Sequence, residues 1–221
     1  MSYPISSAGA PPVAAPATVG WSAAAIAVRS ILQISTPLLL RLVPQGHEPI
    51  YIDFRHHAFL WPTPISAFPA IPLSVDVETE PVPEGAPPLF DPPGQNLDNL
   101  LWPIGLNAFG GQSASWLRPN DRYRLKRWPN FTEMNHTVEQ MRMTALLGTV
   151  ALTPEELADA VGADVRVARQ LVNALSLMDI LLVSNVVAAP AEAAPETRAT
   201  LRESATTRDS LFSRLRKRIG G

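Results

Sequence analysis

Three helix-boundary signals in the C-terminal half of the sequence constrain the fold most. Thr153 can cap a helix, and Pro154 suits the first helical position, where its missing N–H costs no hydrogen bond. Glu156 follows Thr153 by three residues, where a capping box has Glu or Gln. Gly162 then favours a left-handed helix end, and Asp164 can cap a following helix. The spacing predicts two short helices joined by a tight turn.

The flanking segments predict further elements on both sides of these two helices. The full order is helix, short strand, two helices and a final strand. Asn135 or Thr137 can cap a helix that continues to Leu147. β-forming residues occupy 149–152 and 180–187, so these two runs could pair with each other. The buried face of the first helix is expected to consist of Val138, Met141 and Ala145, and Met143, Leu146 and Leu147 would widen that face. The buried face of the last helix is expected to consist of Val167 or Ala168, Leu171, Ala174, Leu175 and Met178.

Residues 135–187 therefore resemble a winged helix-turn-helix domain. The match rests on residues 153–158, on Gly162 in the turn, and on Asp164 with the apolar positions of 165–175. It covers about a quarter of the chain and concerns the fold. The resemblance implies that the outer face of the last helix contacts a partner. The residues on that face would be Arg166, Arg169, Gln170 and Asn173, which are types that also read base edges in DNA.

The net charge of residues 135–187 indicates whether this partner is DNA or a protein. Residues 135–187 carry three arginines against six acids, a balance of −3. Affinity for DNA depends largely on neutralising phosphates. We therefore expect the domain to bind a protein, and charge disfavours DNA as a partner. A winged-helix DNA-binding transcription regulator is the alternative function.

A basic row lies upstream, on a strand predicted at residues 121–128. Arg122, Arg124 and Lys126 alternate with apolar neighbours, so they share the outer side of this strand. The row could contact phosphates or an acidic partner. It could equally pair with the acidic region at 48–98, which has a balance of −7.

The upstream half mixes strand and helix patterns. β-forming residues predict a hairpin at 49–61, and alternation predicts a strand at 73–77. Leucines at helical spacing predict a helix over 97–109, ended by two glycines and kinked or interrupted at Pro103.

The expected fold class is α+β, with a small N-terminal α+β domain followed by the winged-helix-like domain. A disordered N-terminal arm and a tethered C-terminal amphipathic helix flank them. The predicted segments are the arm at 1–20, the α+β domain at 26–128, the winged-helix-like domain at 135–187, a flexible linker at 188–208 and the basic amphipathic helix at 209–221.

The segment at 209–221 combines an apolar stripe with basic side chains. It resembles the short C-terminal membrane-targeting helices of bacterial cell-division and positioning proteins. Such a helix suits an anionic membrane surface or a groove on a partner protein, and a solubilising tail is the third possibility. The residues expected to dock are Leu211, Phe212, Arg214, Leu215, Arg216, Lys217, Arg218 and Ile219.

Patterns typical of catalysis or metal binding are lacking in the sequence. There is no cysteine, and His56 and His57, as neighbours, would point to opposite faces of a strand. Gln112 stands where a phosphate-binding loop needs lysine. We therefore expect no enzyme, no catalytic residues, no metal and no cofactor.

These features together predict a non-enzymatic bacterial adaptor or scaffold. Its winged-helix domain would make protein–protein contacts, and its C-terminal helix would dock on a membrane or a partner. The expected location is the cytoplasm, including the periphery of the inner membrane. A sensor that binds a small ligand at the aromatic and histidine hairpin is a third interpretation.

Overall fold

The computed structural model describes residues 20–34, 38–83, 85–90 and 94–184. Residues 1–19 of the predicted arm, the predicted linker at 188–208 and the predicted docking helix at 209–221 lie outside the described residues. The described part contains helices and antiparallel sheets, which confirms the α+β class. All of the described residues belong to one compact unit.

A five-stranded antiparallel sheet forms the N-terminal half, in the strand order β4-β1-β2-β3-β5. The hairpin predicted at 49–61 is confirmed, because β2 and β3 pair with Ile52 opposite Phe59. The strands are β1 Leu38–Pro44, β2 Ile50–Asp53, β3 Ala58–Leu60, β4 Val75–Pro81 and β5 Gln95–Asn96.

Alternation along β1 and β2 gives the sheet one buried face. Leu40, Leu42, Ile50 and Ile52 are buried, and helix α1 (Ser22–Leu32) packs on β1 and β4. Successive strand residues point to opposite faces. Arg41 on the other face therefore reaches its cross-strand neighbour Glu78 and binds it at 2.8 Å.

Helix α2 (Asp98–Asn107) occupies the range predicted for a helix, and it does not end at Pro103. Its Gly105 lies directly against the backbone of α5 (Val165–Leu177). A Cβ added at Gly105 would lie 2.4 Å from the Cα of Ala174. The two helices approach this closely because neither presents a large side chain at the contact.

The helix boundaries predicted in the C-terminal half are confirmed by α3 (Val138–Thr149), α4 (Pro154–Val161) and α5. Thr137 and Thr153 each form a complete capping box. Gly162 adopts the left-handed conformation with φ 69°, and the Asp164 side chain accepts a hydrogen bond from the N–H of Arg166.

The buried face predicted for α3 is partly wrong. The predicted central positions Val138, Met141 and Ala145 are all exposed, Val138 by 66% and Met141 by 43%, whereas Met143 and Leu147 are buried. Gln140 and Thr144 take their places in the core. Their burial is tolerated because the Gln140 side chain completes the capping box at Thr137 and the Thr144 hydroxyl donates to the Gln140 carbonyl at 2.7 Å.

The strand pairing suggested for 149–152 and 180–187 is also wrong. Thr149 is the last residue of α3, and only Leu152 forms a bridge, to Tyr123. Strand β7 (Leu181–Ser184) pairs instead with β6 (Arg122–Leu125). Tyr123 thus hydrogen-bonds to Leu152 on one side and pairs with β7 on the other, so the basic strand is the central element here.

Candidate partner-binding face

The four residues predicted on the outer face of α5 differ in accessibility. Arg166 is exposed, while Arg169 and Gln170 are half-buried. The placement of Asn173 on that face is wrong, because Asn173 is only 1% exposed.

The segment 112–116 covers α5 at Asn173. The Asn173 Oδ1 accepts from the N–H of Ala114 at 2.8 Å, and its Nδ2 donates to the carbonyl of Gln112 at 2.8 Å. One turn further along, the Trp116 indole N–H donates to the hydroxyl of Ser176 at 2.9 Å. Asn173 is therefore an anchor for this segment and not a contact residue.

The second half of α5 is enclosed by its neighbours. Every residue of 171–178 is buried: α2 packs against Ala174, and the segment 112–116 covers Asn173, which was predicted on the outer face. The sequence carries one signal of this enclosure, a glycine inside the predicted helix at 97–109, since a helical glycine allows another backbone to approach closely. Only the first two turns of α5 remain accessible.

A cleft of about 360 Å³, lined mostly by polar residue types, borders these first turns. Loop residues 112–120 line one side, and the start of α4 with Arg169 lines the other. Arg169 donates to Glu155 at 2.8 Å. This hydrogen bond lowers the pKa of the Glu155 carboxyl, although partial burial opposes the shift.

Tyr123 forms part of the cleft and is itself buried. Burial raises the pKa of its phenol to about 12, and the negative charges of Asp121 and Glu155 act in the same direction. Its hydroxyl donates to the carbonyl of Arg118 at 3.4 Å. Tyr123 is therefore a neutral hydrogen-bonding group at physiological pH.

The basic row on β6 is mostly neutralised within the fold. Arg122 forms an ion pair with Glu156, and Lys126 forms one with Asp179 at 3.2 Å. Arg124 is exposed and makes no ion pair with any described residue. The carboxylates that meet the row belong to α4 and to the turn after α5, and not to the acidic region at 48–98.

Asp98 does connect the acidic region to a neighbouring cation. This buried carboxylate accepts from Arg127 at 2.7 Å and lies 2.9 Å from the His57 Nε2. Burial would raise the pKa of Asp98, but the hydrogen bonds from His57 and Arg127 outweigh it and lower the pKa below its ordinary value. No sequence spacing reveals this cluster, since its members come from a hairpin turn, a helix start and a loop.

The cluster joins three elements and leaves His57 exposed, with a positive φ of 49°. Among residues other than glycine, a left-handed backbone is uncommon, but histidine adopts it more often than most, as asparagine and aspartate do. Here it directs the imidazole toward α2, where Asp98 orients it. The arrangement stabilises the contact between the β2–β3 turn and the start of α2.

No group of three histidine or acidic side chains able to hold a metal ion occurs in the described part of the chain. Within the same residues, no helix has the length and apolarity needed to cross a bilayer. Comparison of the chain with protein-family models, with curated proteins and with solved structures gives no match. The resemblance of residues 135–187 to a winged helix stays a prediction.

Proposed function

We propose that this protein is a non-enzymatic adaptor that binds another protein through the accessible first turns of α5 and the adjoining cleft. The surface presents Arg166, Gln170 and the paired Arg169 and Glu155 beside a polar loop. Mixed charge of this kind suits a protein surface, where complementary charges fix register and select the partner.

One observation carries the choice of protein over DNA: three of the five cations that a DNA reader would use, all but Arg124 and Arg166, already have carboxylate partners. Arg169 pairs with Glu155, Arg122 with Glu156 and Lys126 with Asp179. A phosphate would have to displace each carboxylate. Binding to DNA gains from counterion release only for phosphates that free cations neutralise, so the expected affinity for DNA is low.

The enclosure of α5 supports the same choice. A recognition helix inserts into the major groove, so the side of the helix that faces the DNA must be free of neighbouring segments. In this fold α2 and the segment 112–116 cover the second half of α5. A partner protein needs only the exposed turns and the cleft, and therefore fits this surface better than a duplex does.

The segment at 209–221, outside the described residues, supplies the second contact of the proposed adaptor. Its basic and apolar side chains suit an anionic membrane surface, to which each basic residue contributes about 1 kcal/mol. A tethered second contact raises the local concentration of the folded part near its main partner. The proposed location is the cytoplasm and the surface of the inner membrane.

The DNA question is tested by titrating the full chain onto a labelled mixed-sequence duplex at several salt concentrations, with fluorescence anisotropy as the readout. We expect no saturable binding for the wild type, even at low salt. The double variant Glu155→Gln, Glu156→Gln should gain weak, salt-sensitive binding, because it frees Arg169 and Arg122 while glutamine preserves the capping box.

A charge-matched variant controls for net charge alone. Glu139→Gln with Asp159→Asn removes two exposed acids that form no ion pair among the described residues, and it should bind DNA no better than the wild type. Micromolar wild-type binding with a steep salt dependence would contradict the adaptor proposal and favour the transcription regulator.

The membrane contact is tested by co-sedimentation with vesicles of phosphatidylglycerol and phosphatidylcholine. The full chain should sediment with them, and the chain ending at residue 208 should stay in solution. A full-length variant with Arg214, Arg216, Lys217 and Arg218 changed to glutamine tests whether binding needs the basic charge of the segment or only its presence. Equal sedimentation of all three proteins would remove the membrane role of this segment.

A further inference from the structure

Two apolar side chains protrude from the loop before β4. Ile71 is 88% exposed and Leu73 is 78% exposed, which makes them the most exposed large hydrophobic residues in the described part of the chain. Pro72 between them is buried. Isolated exposed apolar residues are ordinary, but a protruding pair on one loop is typical of an interaction site.

The loop is held in place below its exposed tip. The Trp21 indole N–H donates to the carbonyl of Pro69 at 2.7 Å, and the Trp21 ring stacks on Phe68 with centroids 4.6 Å apart. At the other end, the carbonyl of Ser74 accepts from the N–H of Gln45 at 3.0 Å. A loop anchored at both ends loses little entropy when a partner covers it.

A cleft of about 290 Å³ lies beside this tip. The loop contributes Phe68 and Ala70 to its lining, and α2 contributes Trp102 and Leu106. Ile71 directly follows the lining residue Ala70. An apolar cavity of about 150 Å³ accepts benzene, so this cleft has room for an aliphatic side chain.

Charge does not oppose the approach of an identical surface. No Asp, Glu, Lys or Arg occurs from residue 56 to residue 75, a stretch that includes the whole loop. Glu133 at the cleft rim accepts a hydrogen bond from the Asn99 side-chain amide at 3.0 Å. Two copies could therefore meet here without a like-charge pair at the centre of the contact.

We propose that this face binds a second copy of the chain, with the Ile71 and Leu73 tip of each copy in the cleft of the other. A two-fold interface brings the same patch of both copies together, so it requires a patch that contains both a protrusion and its complement. The loop that carries the tip also lines the cleft, so one patch of the surface contains both the protrusion and the cavity. The dimer goes beyond the proposed adaptor function and would make its partner contacts bivalent.

Sedimentation equilibrium of the full chain tests the proposal. The wild type should pass from monomer to dimer between about 1 and 300 μM, the range typical of a small interface. The variant Ile71→Ser, Leu73→Ser should raise the dimer dissociation constant at least about a hundredfold. Its fold should be unchanged, because both side chains are exposed, and circular dichroism checks this.

The matched control is Val138→Ser with Met141→Ser, which removes two exposed apolar side chains from α3 and should leave the dimer intact. A wild type that stays monomeric at every concentration would overturn the proposal. A dimer that survives the loop substitutions would overturn it as well. Neither result depends on DNA or vesicle binding, so the adaptor proposal is judged separately.

The absence of cysteine from the sequence allows a test of geometry. A protein with Ile71→Cys is mixed with one carrying Ser66→Cys, at the cleft. Disulfides between the two proteins should form faster than disulfides between like copies. Preferential bonding of position 71 to position 71 would contradict insertion of the tip into the cleft.

Discussion

Asp98 is the residue whose charge contributes most clearly to this fold. It is 4% exposed and accepts hydrogen bonds from Arg127 and from the His57 imidazole. A buried carboxylate without such donors would be costly, whereas hydrogen bonds to a charged group stabilise a fold by about 1.5–3 kcal/mol each. Asp98 therefore links the β2–β3 turn, the start of α2 and the segment after β6.

We expect Asp98→Asn to lower the free energy of unfolding at pH 7 by about 2 kcal/mol, because the amide keeps the shape but loses the charge. The lowered pKa of Asp98 means that the folded state favours the ionised form. Its contribution is complete above the ordinary carboxyl pKa of about 4 and disappears as the pH falls through the lower folded-state value. Urea unfolding of the wild type and of Asp98→Asn at several pH values measures this contribution to the free energy of unfolding.

The difference between wild type and Asp98→Asn should therefore narrow below about pH 4. Asp76→Asn, at an exposed strand position, serves as the control and should change stability little at any pH. A difference between wild type and Asp98→Asn that stays constant down to acid pH would mean that the carboxylate charge does not stabilise the fold.

Local residue roles were predictable from the sequence, and distant ones were not. Thr153, Gly162 and Asp164 act on backbone groups within a few positions, so their spacing alone predicted the helix ends. Asn173 bonds to residues about sixty positions away. Its side chain suits both a solvent-exposed helix face and a buried anchor, and only the tertiary contact decides between them.

At the scale of elements, the close contact between α2 and α5 depends on the absence of a side chain at Gly105. We expect Gly105→Ala to destabilise the protein by about 1–3 kcal/mol or more, because the new methyl group would overlap the backbone of α5 at Ala174. The helices would have to separate, and the segment held by Asn173 would move with them. Thermal and urea unfolding measure the loss.

Gly148→Ala provides a matched control in another helix. A Cβ added there would meet the Trp128 ring at an ordinary 3.5 Å. Alanine is a better helix former than glycine by about 1 kcal/mol, so this variant should be neutral or slightly more stable. Equal stability of the two glycine variants would show that α2 and α5 tolerate a wider spacing.

Capping signals and periodicity predicted helices α2 to α5 and the β2–β3 hairpin, but they did not predict which elements meet. Strand β6 pairs with β7 across more than fifty residues, and Tyr123 also bridges to Leu152. Non-local pairing of this kind depends on which edges are free after the helices pack, and no short-range pattern encodes it. The buried face of α3 was missed for a related reason, because Gln140 and Thr144 satisfy their polar groups locally and so can face the core.

At the scale of the whole molecule, the two domains predicted at 26–128 and 135–187 share extensive contacts. Strand β6 comes from the first range and β7 from the second. Helix α2 of the first packs on α5 of the second, and one continuous hydrophobic core includes Trp21, Leu40, Leu101, Leu147 and Leu175. The apolar surface buried between the two ranges would be exposed to water if either range unfolded alone.

We expect residues 20–184 to unfold in a single cooperative step within the full chain. Separating the two ranges would leave α5 without its cover and β7 without its partner strand. The calorimetric and van't Hoff enthalpies should therefore agree. Native-state hydrogen exchange should give the same opening free energy for the core amides of β1 and α5.

Gly105→Ala sharpens this experiment, since it loosens the contact between the ranges. In one cooperative unit, the opening free energies of β1 and α5 should fall together by the amount lost in global stability. If the amides of α5 open at lower free energy while those of β1 keep their protection, the ranges fold separately. That result would support the two-domain organisation predicted from the sequence, and it would make the α2–α5 contact an interface between domains.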